Sequence, residues 1–224
     1  MLDTSSHAAE KSWLDIALAR FAADNADIVG RTRTLLDLVV AEPQRHARMI
    51  NTLSLLEHMG SHKIMATQHS AAIDQPTLKH VAEEAHHAFF MKRQAEKTAE
   101  RALEYVAGDL LAPSSARMYF QRLEGATMRA LGEKRTARAA YLYMSMIVEF
   151  RALWFYGLYQ QTLMRAQHAL SLKRVLGEEQ AHLGDMAERL EAGNELDDAR
   201  AASVLGVERK LYSRLLGAIE RAVA

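Results

Sequence analysis

Apolar positions recur at helical spacing almost everywhere along the chain, and nowhere do they alternate one-in-two as in a half-buried strand. Leu172, Val175, Leu176, Glu179, His182, Leu183, Met186 and Leu190, for example, share one face of a helix. The intervening residues are mostly Ala, Leu, Met, Glu, Gln, Lys and Arg, which are strong helix formers. Only Pro43, Pro76 and Pro113 interrupt them. The pattern predicts an all-α chain.

Prolines and small polar clusters set the expected boundaries. An N-terminal helical region covers roughly Ala8 to Val40, broken between Asp24 and Gly30. Pro43 sits where a first helical turn tolerates it and opens a helix to about Thr67. Ser70 to Pro76 reads as a turn capped by Asp74 or Gln75, followed by a long helix to about Gly108. Leu111 to Ser115 makes the next break, ahead of one helix to about Leu131 and another from Lys134 to Tyr159. A turn within Tyr159 to Ala166 precedes a helix to about Glu191, with Gly193-Asn194 as its C-terminal cap. A last helix runs from Asp197 to Val223. The 224 residues are read as one domain, with a bundle at about 45–192 and flanking helices at 8–40 and 197–223.

Charge narrows the partners. Lys plus Arg and Asp plus Glu both number 28, so no broad basic face is expected for nucleic acid or an anionic membrane. The absence of cysteine excludes disulfides, thiolate catalysis, iron–sulfur clusters and Cys-based zinc sites. Any metal must be held by Glu, Asp and His. The N-terminus lacks the order of a signal peptide and no apolar run reaches membrane-spanning length, so a cytoplasmic location is expected.

Candidate chemistry lies in a repeat. Residues 83–91 and 178–186 both read E-E-x-x-H-x-x-x-M. On a helix, Glu at i and His at i+3 lie on one face, within reach of a single metal ion. Glu83 with His86 and Glu84 with His87 both satisfy that spacing, but aligning Met91 with Met186 sets Glu84 and His87 against Glu179 and His182. The two choices differ by about 100° of helix rotation, so only one can face a core. A carboxylate set among leucines and methionines is costly unless it is paired or bound to metal.

Two more glutamates interrupt apolar stripes upstream. Glu57 follows Met49, Leu53 and Leu56, and Glu149 follows Tyr141, Leu142, Met146 and Val148. Glu57 lies 27 residues before Glu84 (84 − 57), and Glu149 lies 30 before Glu179 (179 − 149). Antiparallel helices joined by a short turn bring such positions level. The chain thus carries two half-sites, each with two Glu and one His.

These six residues resemble the ligand set of the ferritin-like di-iron carboxylate proteins, in which two helices each give a Glu and two others each give a Glu-x-x-His. The resemblance covers residues 45 to 192 and implies a ferritin-like four-helix bundle with added N- and C-terminal helices. It implies that Glu84 and Glu179 bridge two metals, with Glu57, Glu149, His87 and His182 as terminal ligands. His80 adds His80-x-x-x-Glu84-x-x-His87 on one face and resembles the extra histidine ligand of di-iron arylamine oxygenases, where that histidine belongs to the other half-site. His58, His62, His69 and His168 show no partner pattern. Gly60 and Ala152, each three residues after a ligand glutamate, leave space on matching turns. Tyr143, Trp154, Tyr156 and Tyr159 crowd the helix of Glu149 and read first as core aromatics, with a redox-active or hydrogen-bonding place beside the metals open to one of them.

Carboxylate-rich sites with imidazole suit two Fe ions, with Mn as the alternative. The resemblance implies a di-iron oxidase or oxygenase whose partners are dioxygen and a small organic substrate, with an electron donor left unspecified and a homodimer allowed. Ferroxidase or manganese-catalase chemistry is the second reading, and a metal-free helical interaction protein the third. An apolar cavity beside the metals favours an organic substrate, whereas a carboxylate-lined channel favours iron itself.

Overall fold

The structure, a computed structural model, describes residues 12–68, 73–134 and 136–224. The expected helix start at Ala8, the turn residues Ser70 to Ala72 and His69 lie outside them. Among the described residues the chain is all-helical, with no strand. Its helices are α1 (Trp13–Asp24), α2 (Ala26–Val40), α3 (Pro43–Thr67), α4 (Gln75–Ala99), α5 (Pro113–Leu131), α6 (Ala137–Arg165), α7 (Lys173–Ala192) and α8 (Asp198–Val223).

Local chemistry starts most of them. Glu42 caps α3 by accepting from the Gln44 and Arg45 amides, with Pro43 at the position where a missing N–H costs nothing. Asp74 caps α4 and accepts from Thr77 N; Thr136 and Asp197 do the same for α6 and α8. The α1/α2 break falls at Asn25, whose amide side chain donates to Phe21 O.

Two helix ends differ from expectation, those of α4 and α6, while α7 ends at its expected cap. Helix α4 stops at Ala99 rather than near Gly108, because Glu100 turns left-handed at φ 55°. The loop that follows is pinned from outside itself. Asn51 on α3 donates to the carbonyls of Glu104 and Asp109, and Lys92 donates to Leu103 O. Helix α6 runs on to Arg165, past the expected turn, and the chain reverses at Gln167, φ 51°. At the end of α7 it is Asn194, φ 50°, that takes the left-handed conformation, while Gly193 stays right-handed.

Helices α3, α4, α7 and α6 form a ring around the core, with α3 lying along α4 and α6 along α7. The α3/α4 pair is antiparallel: Asn51 meets Lys92, Ser54 meets the Ala88 carbonyl, and Gly60 meets Glu84. Helices α5 and α8 pack together and, with α2, cover the α3/α6 side of the ring. Phe150, Met146, Leu142, Met91 and Leu36 are wholly buried between these layers.

One ion pair ties the layers together. Arg151 on α6 donates through Nε and Nη2 to Glu208 on α8 at 2.8 and 2.7 Å, and through Nη2 to Asn25 at 2.7 Å. Both ends of the pair are buried, so removing one strands the other charge. Glu208→Ala should therefore cost about 3–5 kcal/mol in a denaturant titration. Glu220→Ala, which breaks the half-exposed pair with Arg31, should cost under about 1 kcal/mol.

Candidate metal centre

Seven side chains converge inside the ring. Glu57 comes from α3, His80, Glu84 and His87 from α4, Glu149 from α6, and Glu179 and His182 from α7; all are buried. They form two groups able to hold a metal ion, Glu57–Glu84–His87–Glu179 and His80–Glu84–Glu149–His182, each with ligand atoms within 4.8 Å of one another. All six glutamates and histidines singled out in the sequence thus meet at one place. His80 joins them, and it does so beside Glu149 and His182 rather than beside His87 of its own helix. His87 turns inward and is fully buried, whereas His86 is exposed.

Glu84 and Glu179 lie between the two groups. Glu179 sets Oε1 3.3 Å from His87 Nδ1 and Oε2 3.3 Å from His182 Nδ1. Glu84 Oε1 lies 3.5 Å from His80 Nε2 and 3.7 Å from both His87 Nδ1 and His182 Nδ1. Glu84 Oε1, Glu179 Oε1 and His87 Nδ1 are buried and make no hydrogen bond. Three orphaned donor atoms of this kind, aimed at common points, are what a cation would satisfy. Gly60 leaves the room this needs, since a Cβ there would approach Glu84 Oε2 to 3.1 Å.

The first glutamate of each repeat has a separate role. Glu178 Oε2 lies 2.8 Å from His87 Nε2, and Glu83 Oε2 lies 2.9 Å from His182 Nε2. Each repeat therefore holds the histidine of the other and leaves its Nδ1 facing the carboxylates. A carboxylate behind an imidazole fixes its tautomer and strengthens it as a metal ligand. Lys79 and Arg174, each four residues earlier, anchor Glu83 and Glu178 in turn. The doubled E-E and the basic residue four positions before it were the signals for this shell, but only the crossing of α4 and α7 gives them meaning. Tyr156, one of the aromatics singled out on the helix of Glu149, donates to Glu57 Oε1, whereas sequence reasoning missed Tyr141, 2.9 Å from His80 Nδ1.

Without a cation the cluster must be neutralised by protons. Burial, then the charges of Glu84 and Glu179, push Glu57 well above the usual carboxylate range. Burial, then Glu179 and Glu84, do the same to Glu149. Burial opposes charge on His87, but the facing carboxylates of Glu179 and Glu84 overcome it and push the imidazole up to about 12. His182 is raised in the same way by Glu179 and Glu83. Burial also works against the charge of Glu84 and Glu179, yet their histidine partners hold both below the usual range.

A cavity of about 90 Å³ opens directly beside Glu57, Glu84, Glu149, Glu179 and Tyr156. Its remaining wall is mostly apolar, with Leu53 and Leu56 from α3, Val148, Ala152 and Phe155 from α6, and Leu216 from α8, and its polar members are Thr52, Tyr119, Arg151 and Tyr212. Among the described residues no helix is long and apolar enough to cross a membrane.

Metal should displace the protons. Glu57, Glu149, His87 and His182 all have raised folded-state values, so their contribution to stability is present below their unfolded values and is lost as pH rises. Metal-free protein should then lose stability between pH 7 and 9. Binding of Mn(II) should release protons from these groups and should raise the melting temperature more at pH 8 than at pH 6. Calorimetry in buffers of different ionisation enthalpy reads the proton count; a count near zero would show that the cluster is already charged.

No family model matches the chain, and neither the curated proteins nor the solved structures yield a match, so its chemistry has to be inferred from the cluster itself.

Proposed function

We propose that the chain is a ferritin-like dimetal oxidoreductase that uses dioxygen to oxidise a small organic molecule. The observation that carries this is the apolar cavity ending on the buried carboxylates. A more polar pocket lined by Gln75, Lys79, Glu83 and Asp185 reaches His80 and His182 from another side, and it is the observation that favours iron handling as the second reading. The donor set of four carboxylates and three imidazoles suits iron, or manganese, better than copper or zinc.

In this reading Glu57 and His87 would hold one ion, His80, Glu149 and His182 the other, and Glu84 and Glu179 would span both. Two ferrous ions held there supply the electrons with which dioxygen can attack an unreactive organic molecule. The chain supplies the rest. Glu83 and Glu178 keep the Nε2 protons of His182 and His87 and so leave each Nδ1 free for a cation. Tyr156, at the cavity wall, holds a proton on its hydroxyl and directs it to Glu57. Leu53, Leu56, Val148 and Phe155 keep bulk water from the place where substrate would lie. Gly60 leaves Glu84 space to change its coordination.

Purified protein should bind about two Fe(II) per chain, and anaerobically loaded protein should consume dioxygen when mixed with it. His182→Ala and Glu179→Ala should each lower metal content, while His86→Ala should not. His80→Ala should weaken one of the two sites and spare the other. Folded wild-type protein that takes up one ion or none sinks the dimetal reading. Continued oxidation of Fe(II) far beyond two per chain would replace the oxygenase reading with a ferroxidase one.

A further inference from the structure

We infer that the cavity beside the carboxylates takes a compact, uncharged molecule with an apolar body and one hydrogen-bond acceptor, and that Arg151 Nη1 is the group that recognises the acceptor. The inference rests on the dimetal reading and names the substrate class of that site.

Size comes first. The cavity measures about 90 Å³, less than the ~150 Å³ that holds benzene in an engineered apolar core. A ligand of about four non-hydrogen atoms fits without repacking.

Polarity is next. Hydroxyls on the wall are already engaged: Tyr119 donates to Glu208 at 2.7 Å, Tyr212 lies 3.4 Å from Thr32, Thr52 donates to the Arg48 carbonyl at 2.8 Å, and Tyr156 donates to Glu57. Arg151 also lines the cavity and is 5% exposed. Its Nε and Nη2 are satisfied by Glu208 and Asn25, while Nη1 is buried without a partner. Rings of Phe21, Trp154 and Tyr212 pack against the guanidinium, Tyr212 at 4.0 Å, and hold it in place. Away from the carboxylates, Arg151 is the one lining residue with a polar atom left orphaned among the described residues. A buried donor in that state favours any acceptor that reaches it.

Charge excludes ions. Arg151 is already neutralised by Glu208, and two divalent cations would cancel the four carboxylates at the other end. An anionic or cationic ligand would therefore enter an apolar space with no counter-charge left to meet it. A carbonyl, ether or similar neutral acceptor meets no such penalty. With its acceptor on Arg151, its body would lie along Ala152 and Leu216 toward the carboxylates.

The test uses Mn(II)-loaded protein and three matched probes, acetone, acetate and isobutane, with binding read from paramagnetic broadening of the probe protons. Acetone should bind saturably and at least tenfold more tightly than either of the others. Replacing both charges, in Arg151→Met with Glu208→Gln, should bring the ketone down to the level of isobutane. Ala152→Phe, which fills the space and leaves the ion pair alone, should remove ketone broadening and keeps the test decisive should the double variant fail to fold. Acetate binding as tightly as the ketone, or a ketone preference that survives the double variant, overturns the assignment. Metal content and saturation transfer on metal-free protein separate the two levels. Two Mn(II) per chain without ketone binding overturns the cavity assignment alone, whereas ketone preference without Mn(II) uptake supports it and removes the dimetal reading.

Discussion

Four carboxylates converge in an interior that water does not reach, and the architecture follows from making that tolerable. Like charges this close cannot all persist unaided. The chain answers with histidines facing the two central glutamates, while burial favours the protonated form of the outer two. Cations bound there would take the place of such protons. The ring of α3, α4, α6 and α7 exists to bring these groups level, and the apolar layers around it raise the stakes of each charge they enclose.

Crosswise support gives the site its near symmetry. Each repeat carries its own ligand pair and also the carboxylate that steadies the histidine of the other, so α4 and α7 are locked in register by the same bonds that orient the imidazoles. The symmetry is broken at one position. Four residues before Glu84 stands His80, while four residues before Glu179 stands Val175. The two halves are therefore chemically unequal, with an extra imidazole beside Glu149 and a tyrosine hydroxyl beside Glu57.

What could be read from the residues alone was what depends on a single helix. Glu84 with His87 and Glu179 with His182 are i, i+3 relations, and the register that turns His86 outward follows from aligning two copies of one motif. Asp74, Thr136 and Asp197 announce their helices within three residues. The placement of His80, by contrast, depends on how α4 crosses α6 and α7, and the role of Glu83 on a partner 99 residues away. The end of α4 was misjudged for the same reason: residues 100 to 108 favour a helix locally, and it is Asn51 and Lys92, from elsewhere in the fold, that draw them into a loop. Arg151 gave no signal at all, because an arginine two residues past a glutamate reads as surface until α8 is seen to cover it.

Helix α8 contributes none of the seven converging groups, yet it furnishes Tyr212, Leu215, Leu216 and Ile219 to the cavity wall. Part of the cavity wall is thus written in a stretch of chain separate from the cluster, while Arg151 and Ala152 stay beside Glu149 on α6. Changes along 211–219 can reshape that part of the cavity without touching an atom of the cluster, so what fits there can be altered from one terminal helix while the converging groups stay intact.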